Sequence, residues 1–173
     1  VPVTVKHRIG IDKEESYAFV RDFVGTVADA GCRVFIVHAR NAWLKGLSPK
    51  ENREIPPLRY ERVYQLKRDF PHLTIVLNGG VTTDEPIAEH LQHVDGVMLG
   101  REAYHHPWMM SGWDARFLGG TPNPITPDEV EAAMVAYMQR ELVEDGTPWS
   151  AFARHMLGLH HGRRGARLWR QVW

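Results

Sequence analysis

The sequence predicts an α/β fold: the second half of a (β/α)8 TIM barrel, followed by a small all-α helical domain. Four continuously apolar, strand-like segments alternate with helical patterns as far as Phe117, and only helical patterns follow. Apolar strands separated by helices are typical of a parallel sheet covered by helices. Because a whole barrel needs ~250 residues, four such units are half of one.

The four strands are short runs rich in β-branched and apolar residues. The first runs from Val1 to Lys6, and the others are the segments RVFIVHA, LTIVLN and DGVMLG. Capping signals at Asp12 (D-x-x-E) and Thr82 (T-x-x-E) predict two helix starts, and LRYERVYQLKRDF forms another helix. A doubly wound open sheet is the alternative, but the phosphate-binding signals at the strand ends favour the barrel.

A change of composition after Phe117 predicts three regions: a half-barrel at 1–117, a proline-rich linker at 118–125 and a helical domain at 126–173. Thr126-Pro127-Asp128-Glu129 is a strong helix start, because it combines a threonine cap, proline at the first position and acids in the first turn. That helix is predicted to end at Gly146. Two further helices are expected at 150–159 and 162–173.

Charge and cysteine content limit the possible function classes. The 173 residues carry 21 basic and 21 acidic side chains, so no global field attracts a polyanion. The last 28 residues, however, hold five arginines and no acid, a patch that can meet nucleic acid or simply be a solvated helix face. A single cysteine suits a reducing, cytoplasmic setting, and no apolar run is long enough for a membrane. Because the chain opens on a strand without Met, we expect a C-terminal piece of a longer protein.

The strand ends carry the residues that predict a cofactor. In a barrel, the loops after the last two strands often hold a phosphate. Here one strand ends in Asn78-Gly79-Gly80 and the next in Gly100-Arg101; the glycines let backbone N–H groups approach an anion, and the arginine adds charge. The remaining strands end in Lys6 and His38, which suit an anionic flavin ring or its phosphate. Each residue alone has a plain structural reading, but together they predict one cofactor cup.

Other chemistry is not indicated. Cys32 precedes its strand and lies at the amino end of the barrel, which is the wrong face for catalysis. The pairs His105-His106 and His160-His161 are adjacent and point apart on a helix, so no metal site is expected.

Two basic elements indicate a large anionic substrate. A long loop from Arg40 to Pro57 carries four cations, and the last helix carries three more at i, i+4 and i+7. We predict that both elements contact this anionic substrate. The residues are Arg40, Lys45, Lys50, Arg53, Arg163, Arg167 and Arg170.

Five segments of the chain are the most distinctive: VKHRIGID, VHARNAWLKGLSPKENREIPPLRYERVYQLKRDFP, LNGGV, DGVMLGREAYHHPW and HMLGLHHGRRGARLWR. Together they resemble the tRNA-dihydrouridine synthases of the A type, over essentially the whole chain. The resemblance implies the second half of an FMN-binding barrel plus a C-terminal helical tRNA-binding domain. It also implies reduction of D-loop uridines, U20 and U20a, by NADPH through FMN, with the uracil flipped out of the stack.

The resemblance assigns roles to matching positions. FMN contacts are implied at Lys6 and His38, its phosphate cup at Asn78, Gly79, Gly80, Gly100 and Arg101, and tRNA contacts at Lys50, Arg53, Arg167 and Arg170. The family's catalytic cysteine, which protonates C5 of the uracil, lies in the half-barrel that this chain lacks. The chain alone is therefore expected to be inactive. The alternatives are another FMN- or phosphate-binding barrel oxidoreductase, or a non-catalytic tRNA-binding module.

Overall fold

Strands and helices alternate through the first part of the chain, as its hydrophobic pattern predicts. The computed structural model describes residues 1–173, which divide into two units, Val1–Leu99 and Gly100–Trp173. The first unit contains all four strands. Its elements are β1 (Thr4–Arg8), α1 (Tyr17–Asp29), β2 (Val34–His38), a 3-10 helix (Glu51–Arg53), α2 (Tyr60–Asp69), β3 (Thr74–Asn78), α3 (Asp84–His90) and β4 (Gly96–Met98).

The strands form one parallel sheet in the order β1-β2-β3-β4, so the predicted parallel α/β arrangement is confirmed. A doubly wound sheet reverses its strand order at a switch point, and this sheet does not. One sheet face meets the helices and is buried, with Phe35, Val37, Ile75 and Leu77 fully inaccessible to solvent. The alternate residues lie on the opposite, more open face because successive strand residues point to opposite sides.

The second unit contains only helices. They are α4 (Arg101–His105), a 3-10 helix (Pro107–Gly112), α5 (Trp113–Phe117), α6 (Pro127–Glu144), α7 (Ser150–Met156) and α8 (Ala166–Val172). No helix of the chain combines the length and apolar character needed to cross a membrane. The domain boundaries predicted at 117 and 126 remain a prediction.

The start of α6 forms as the sequence predicts. The Thr126 hydroxyl accepts from the Glu129 amide at 3.3 Å, and the Glu129 carboxylate accepts from the Thr126 amide at 2.7 Å. This reciprocal capping box satisfies two amide groups that the first turn of a helix leaves unpaired.

Two other predicted caps are wrong. The cap of α1 is Ser16, whose side chain accepts from the Phe19 amide, and the carboxylate of Asp12 instead accepts from the Leu44 amide in the long loop at 2.8 Å. The N-cap of α3 is Thr83 rather than Thr82, and it makes no side-chain capping bond. In the first case, the Asp12 carboxylate bonds to a residue distant in sequence instead of capping the helix that follows it.

The last helix is shorter than predicted. Instead of 162–173 it spans Ala166–Val172, because Gly162 and Gly165 have φ angles of 75° and 87°, outside the right-handed helical region. Arg163 therefore lies in the turn before α8, and the predicted i, i+4, i+7 helical face of arginines reduces to Arg167 and Arg170.

Candidate functional site

The carboxyl ends of the strands place the predicted cofactor residues on one sheet face. Register pairs Arg8 with His38, and His38 with Asn78, in one row across β1, β2 and β3. Lys6 lies one pleat below that row on the same open face. The structure therefore brings Lys6, His38 and Asn78 together on the sheet face that the helices do not cover.

β1 continues beyond its predicted end. Lys6 lies in the middle of the strand, and Arg8 occupies the end that the sequence assigned to Lys6. Lys6 is exposed and forms no hydrogen bond or ion pair. Partial burial of its ammonium group and the neighbouring charge of Arg8 lower the pKa of Lys6. An unpaired cation on this open face suits an anionic ligand.

The turn after β3 is built against His38. Gly79 and Gly80 have φ angles of 117° and 73°, which L side chains rarely adopt. A Cβ atom on Gly79 would lie 2.6 Å from Cδ2 of His38. The Tyr60 hydroxyl donates to the Gly79 carbonyl at 2.9 Å, and the Asn78 side chain donates to the Met98 carbonyl at 2.8 Å. Close packing thus explains these glycines, independently of any ligand.

The amide groups of this turn have no acceptor within the protein. Neither the Gly79 nor the Gly80 N–H takes part in a hydrogen bond, although Gly79 is buried. Buried amide groups without a partner are rare in native proteins, because each costs free energy comparable to a lost hydrogen bond. A bound anion is a chemically suitable acceptor for them.

Gly100 and Arg101 belong to the second unit, where Gly100 caps α4 and Arg101 begins it. Gly100 has a φ angle of −122°, and a Cβ atom there would meet nothing within 4 Å. The backbone therefore does not require glycine at this position, unlike at Gly79. Their predicted part in a phosphate cup remains a prediction.

The long basic loop is ordered by two side chains that sequence reasoning did not single out. The side-chain amide of Asn52 accepts a hydrogen bond from the backbone N–H of Trp43 and donates one to the backbone carbonyl of Trp43, both at 2.8 Å. Arg8 donates to the carbonyl groups of Asn41 at 2.7 Å and Asn52 at 2.8 Å. The loop is thereby fastened to the carboxyl end of β1. A predictive signal was available in the position of Arg8 next to a strand end.

The structure separates the loop cations into two kinds. Arg40 is only 9% exposed and donates to the backbone carbonyl groups of Glu54 and Pro56, so it holds the loop from inside. Lys45, Lys50 and Arg53 are exposed. Burial, followed by the charges of Arg40 and Arg53, lowers the pKa of Arg8, which indicates that these cations share one positive region.

The basic residues near the carboxyl terminus are also exposed. Arg167 and Arg170 project from α8, while Arg163 donates to Asp128 at 3.5 Å. Two tryptophans and a histidine hold this region onto α6 through one carboxylate, that of Glu131. It accepts from Trp169 Nε1 at 2.8 Å, Trp173 Nε1 at 2.9 Å and His160 Nε2 at 3.1 Å. The tryptophans thus have a structural role.

No three or more His, Cys, Asp or Glu side chains meet in a geometry that could hold a metal ion. Cys32 lies before β2, near the carbonyl groups of Val3 and Val34. It is therefore at the amino ends of the strands, whereas His38 and Gly79 lie at the carboxyl ends.

Comparison with known proteins shows to which family the chain belongs. Residues 1–173 match the family described as dihydrouridine synthase (Dus). The chain belongs to the dihydrouridine synthase family. The family resemblance predicted from the five sequence segments is therefore confirmed.

Relatives of this chain within the family carry a more specific name. The tRNA-dihydrouridine(20/20a) synthase of Escherichia coli (strain K12) is 56% identical over 172 residues, which are 99% of this chain and 50% of that protein. Proteins of the same name from Shewanella oneidensis and Pasteurella multocida are each 53% identical over 171 residues, covering 99% of this chain and 51% and 52% of those proteins. The chain spans about half the length of the relatives it matches.

Proposed function

We propose that this chain is the part of an FMN-dependent tRNA-dihydrouridine synthase that holds the flavin phosphate and the tRNA. The proposed reaction is the NADPH-driven reduction of uridines 20 and 20a of the tRNA D-loop to 5,6-dihydrouridine, in the cytoplasm. One observation carries the proposal: relatives named tRNA-dihydrouridine(20/20a) synthase are 53% and 56% identical to this chain over 99% of its length. A small-molecule oxidoreductase is disfavoured by the same match.

The proposed architecture is the second half of a TIM barrel at 1–117, a linker at 118–125 and a tRNA-binding helical domain at 126–173. The sequential order of four parallel strands and the single open sheet face support the half-barrel. In this proposal, the four remaining β/α units belong to the other half of the longer relatives.

The residues at the strand ends fit the FMN that the family implies. The amide groups of Gly79 and Gly80 donate to no acceptor within the protein and are suitable donors to phosphate oxygens, since backbone N–H groups at glycine turns form anion-binding concavities. Lys6 adds an unpaired positive charge on the open sheet face. We propose that Lys6, His38 and Asn78–Gly80 contribute to holding the cofactor, and the contacts expected from Gly100 and Arg101 stay a prediction from the sequence.

When bound, FMN supplies hydride chemistry at the uracil ring. This chain's part is binding and orientation: Lys6 stabilises negative charge on the ligand, and the imidazole of His38 borders the Gly79 turn. Cys32 lies at the amino ends of the strands, whereas the cofactor residues lie toward the carboxyl ends, so its thiol is badly placed to deliver a proton to the uracil. In this proposal, as the family resemblance implies, the catalytic cysteine belongs to the other half of the enzyme.

The tRNA is proposed to contact two sets of exposed cations. Lys45, Lys50 and Arg53 lie on the loop that Asn52 and Arg8 hold in place, and Arg40 supports that loop from below. Arg163, Arg167 and Arg170 form the second set. Exposed cations on ordered backbone suit phosphate contacts, which position an RNA without reading its sequence.

Replacing Lys50 and Arg53 together by alanine is expected to weaken tRNA binding. Each lost phosphate contact reduces the slope of log affinity against log salt by ~0.7, so the pair should lower the slope by about 1.4. The measurement is a binding titration of unmodified tRNA at several salt concentrations.

The matched control is the double variant Lys13→Ala, Arg68→Ala, which removes the same charge from exposed positions outside the loop. It should leave the salt dependence close to that of the unmodified chain. Equal slopes for the loop variant and the unmodified chain would contradict the loop's role.

The chain by itself is expected to make no dihydrouridine, because the catalytic cysteine and the remaining flavin contacts belong to the other half. Unmodified tRNA, FMN and NADPH would be incubated with the chain, and the tRNA digest analysed by mass spectrometry. The complete protein serves as the positive control. Turnover by the chain alone would show that the assignment of the catalytic group is wrong.

A further inference from the structure

A pocket of about 460 Å³ lies within the second unit, and none of its lining residues is among the predicted cofactor residues. Residues from α4, α7, α8 and the connecting turns line it. Most of the lining consists of imidazole rings and guanidinium groups. The aromatic and basic lining residues include Tyr104, His106, Arg154, His155, His161 and Arg170.

The hydrogen bonds at one side of the pocket leave two donors available. The Nε–H of Arg154 donates to His155 Nε2 at 3.1 Å, so that ring nitrogen is unprotonated. His155 Nδ1 must then carry the hydrogen of the neutral ring, and it donates to the Tyr104 hydroxyl at 2.8 Å. The Tyr104 O–H proton and the terminal nitrogens of Arg154 therefore remain available to a ligand.

The other side of the pocket holds an unpaired cation. Arg170 forms no hydrogen bond or salt bridge and lies close enough to affect His161. Burial, followed by the charges of His106 and Arg170, lowers the pKa of His161, while Glu102 acts in the opposite direction. The carboxylate of Glu102 is already engaged by His106 Nδ1 at 2.5 Å.

Charge and shape together indicate the kind of ligand. No carboxylate lines the pocket, so the guanidinium charges of Arg154 and Arg170 are uncompensated within it. Arginine is well suited to phosphate oxygens because its planar group donates two parallel hydrogen bonds. Tyr104 is 51% exposed as a residue and packs edgewise with the rings of His105 and His155, and exposed aromatic side chains are the groups on which unpaired bases stack. The volume lies within the range of small-molecule sites.

We propose that this pocket binds one nucleotide, with Arg154 and Arg170 on its phosphate and Tyr104 against its base. This proposal rests on the proposed tRNA-binding role of the chain and specifies which group of the RNA the helical unit holds. The same chemistry has two sources, an unpaired nucleotide of tRNA or a free nucleotide, and the test separates them.

The test uses the 173-residue chain, unmodified tRNA and uridine 5′-monophosphate as probes. Arg154→Ala and Tyr104→Ala are each expected to weaken tRNA binding about tenfold, since one stacked base or one phosphate contact contributes about that much. Tyr104→Phe keeps the ring and removes only the hydroxyl, so it reports on that donor if Tyr104→Ala unfolds the unit. Arg164→Ala removes an exposed arginine that does not line the pocket and should change affinity less than threefold.

Four outcomes are distinguishable. Loss of tRNA affinity in the pocket variants, with competition by the mononucleotide, supports a pocket for a tRNA nucleotide. Mononucleotide binding that depends on Arg154, with unchanged tRNA affinity, supports a free nucleotide as the occupant. If neither probe responds to the pocket variants while the Lys50 and Arg53 variant still loses tRNA affinity, the pocket proposal is overturned and the proposed function stands. If the unmodified chain binds no tRNA, the proposed function fails, and the mononucleotide titration alone decides the pocket.

Discussion

Replacing Glu131 by glutamine is expected to lower the free energy of unfolding of the helical unit by about 2 kcal/mol, because charge-assisted hydrogen bonds contribute more than neutral ones. The Glu131 carboxylate accepts three hydrogen bonds, from Trp169, Trp173 and His160. Glutamine is neutral, and its side chain has only one oxygen to accept them. The last 14 residues of the chain contain all three donors, so this carboxylate is a main attachment of the region to α6, alongside the Arg163–Asp128 ion pair.

The measurement is denaturant unfolding followed by tryptophan fluorescence, since five of the six tryptophans lie in the second unit. Glu144→Gln is the matched control, because Glu144 is exposed at the end of the same helix and forms no hydrogen bond. It should be close to neutral. A Glu131→Gln chain as stable as this control would show that the carboxylate does not hold α8.

The effect of Glu131 has a defined pH dependence. Burial alone would raise the pKa of Glu131, but the hydrogen bonds from Trp169, Trp173 and His160 together lower it below 4.5. A carboxyl group whose folded-state pKa is lowered stabilises the fold above its unfolded pKa, and that stabilisation disappears as the pH falls through the folded value. The difference between the unmodified chain and Glu131→Gln should therefore be full at neutral pH and shrink below pH 4.5.

Replacing Gly79 by alanine is expected to destabilise the first unit by about 2 to 4 kcal/mol, the sum of a left-handed backbone cost and overpacking. The φ angle of Gly79 is 117°, and a Cβ atom would lie 2.6 Å from His38 Cδ2 and 2.9 Å from His38 Nε2. His38 is itself buried and has little room to move. The measurement is denaturant unfolding followed by far-ultraviolet circular dichroism.

Gly31→Ala separates the two contributions. Gly31 has a similar φ angle of 106°, but nothing lies within 4 Å of the position of its Cβ atom, so only the backbone cost of about 1 kcal/mol is expected. The excess destabilisation of Gly79→Ala should fall when His38 is also replaced by alanine, since the two residues are in contact. Equal effects of Gly31→Ala and Gly79→Ala would mean that the turn does not pack against His38 as described.

Local signals in the sequence predicted part of the fold accurately. The capping box at Thr126 needs only residues within one helical turn, and it forms. The alternation of apolar strands and helices depends on burial of successive segments, and it predicted the parallel sheet. The expected strand-end placement of His38 and Asn78 followed because parallel strands align their carboxyl ends.

Local sequence patterns were misleading where a side chain forms hydrogen bonds with residues far away in the sequence. Asp12 resembles a helix cap, but its carboxylate bonds to the Leu44 amide, 32 residues away. Arg40 resembles an exposed RNA contact, but it is buried beneath the loop and bonds to carbonyl groups at Glu54 and Pro56. In both cases, the deciding partner comes from a loop whose path no local pattern describes.

The sequence by itself determined the α/β class, the family and the residue types available for phosphate and RNA, because these depend on periodicity and on short motifs. Only the tertiary structure decided which of those residues are accessible. It placed Arg8 at the strand end and left the Gly79 amide without an acceptor. It also joined Trp169, Trp173 and His160 on one carboxylate. The physical reason is that buried polar groups need hydrogen-bond partners, and in a folded chain those partners often come from segments far apart in sequence.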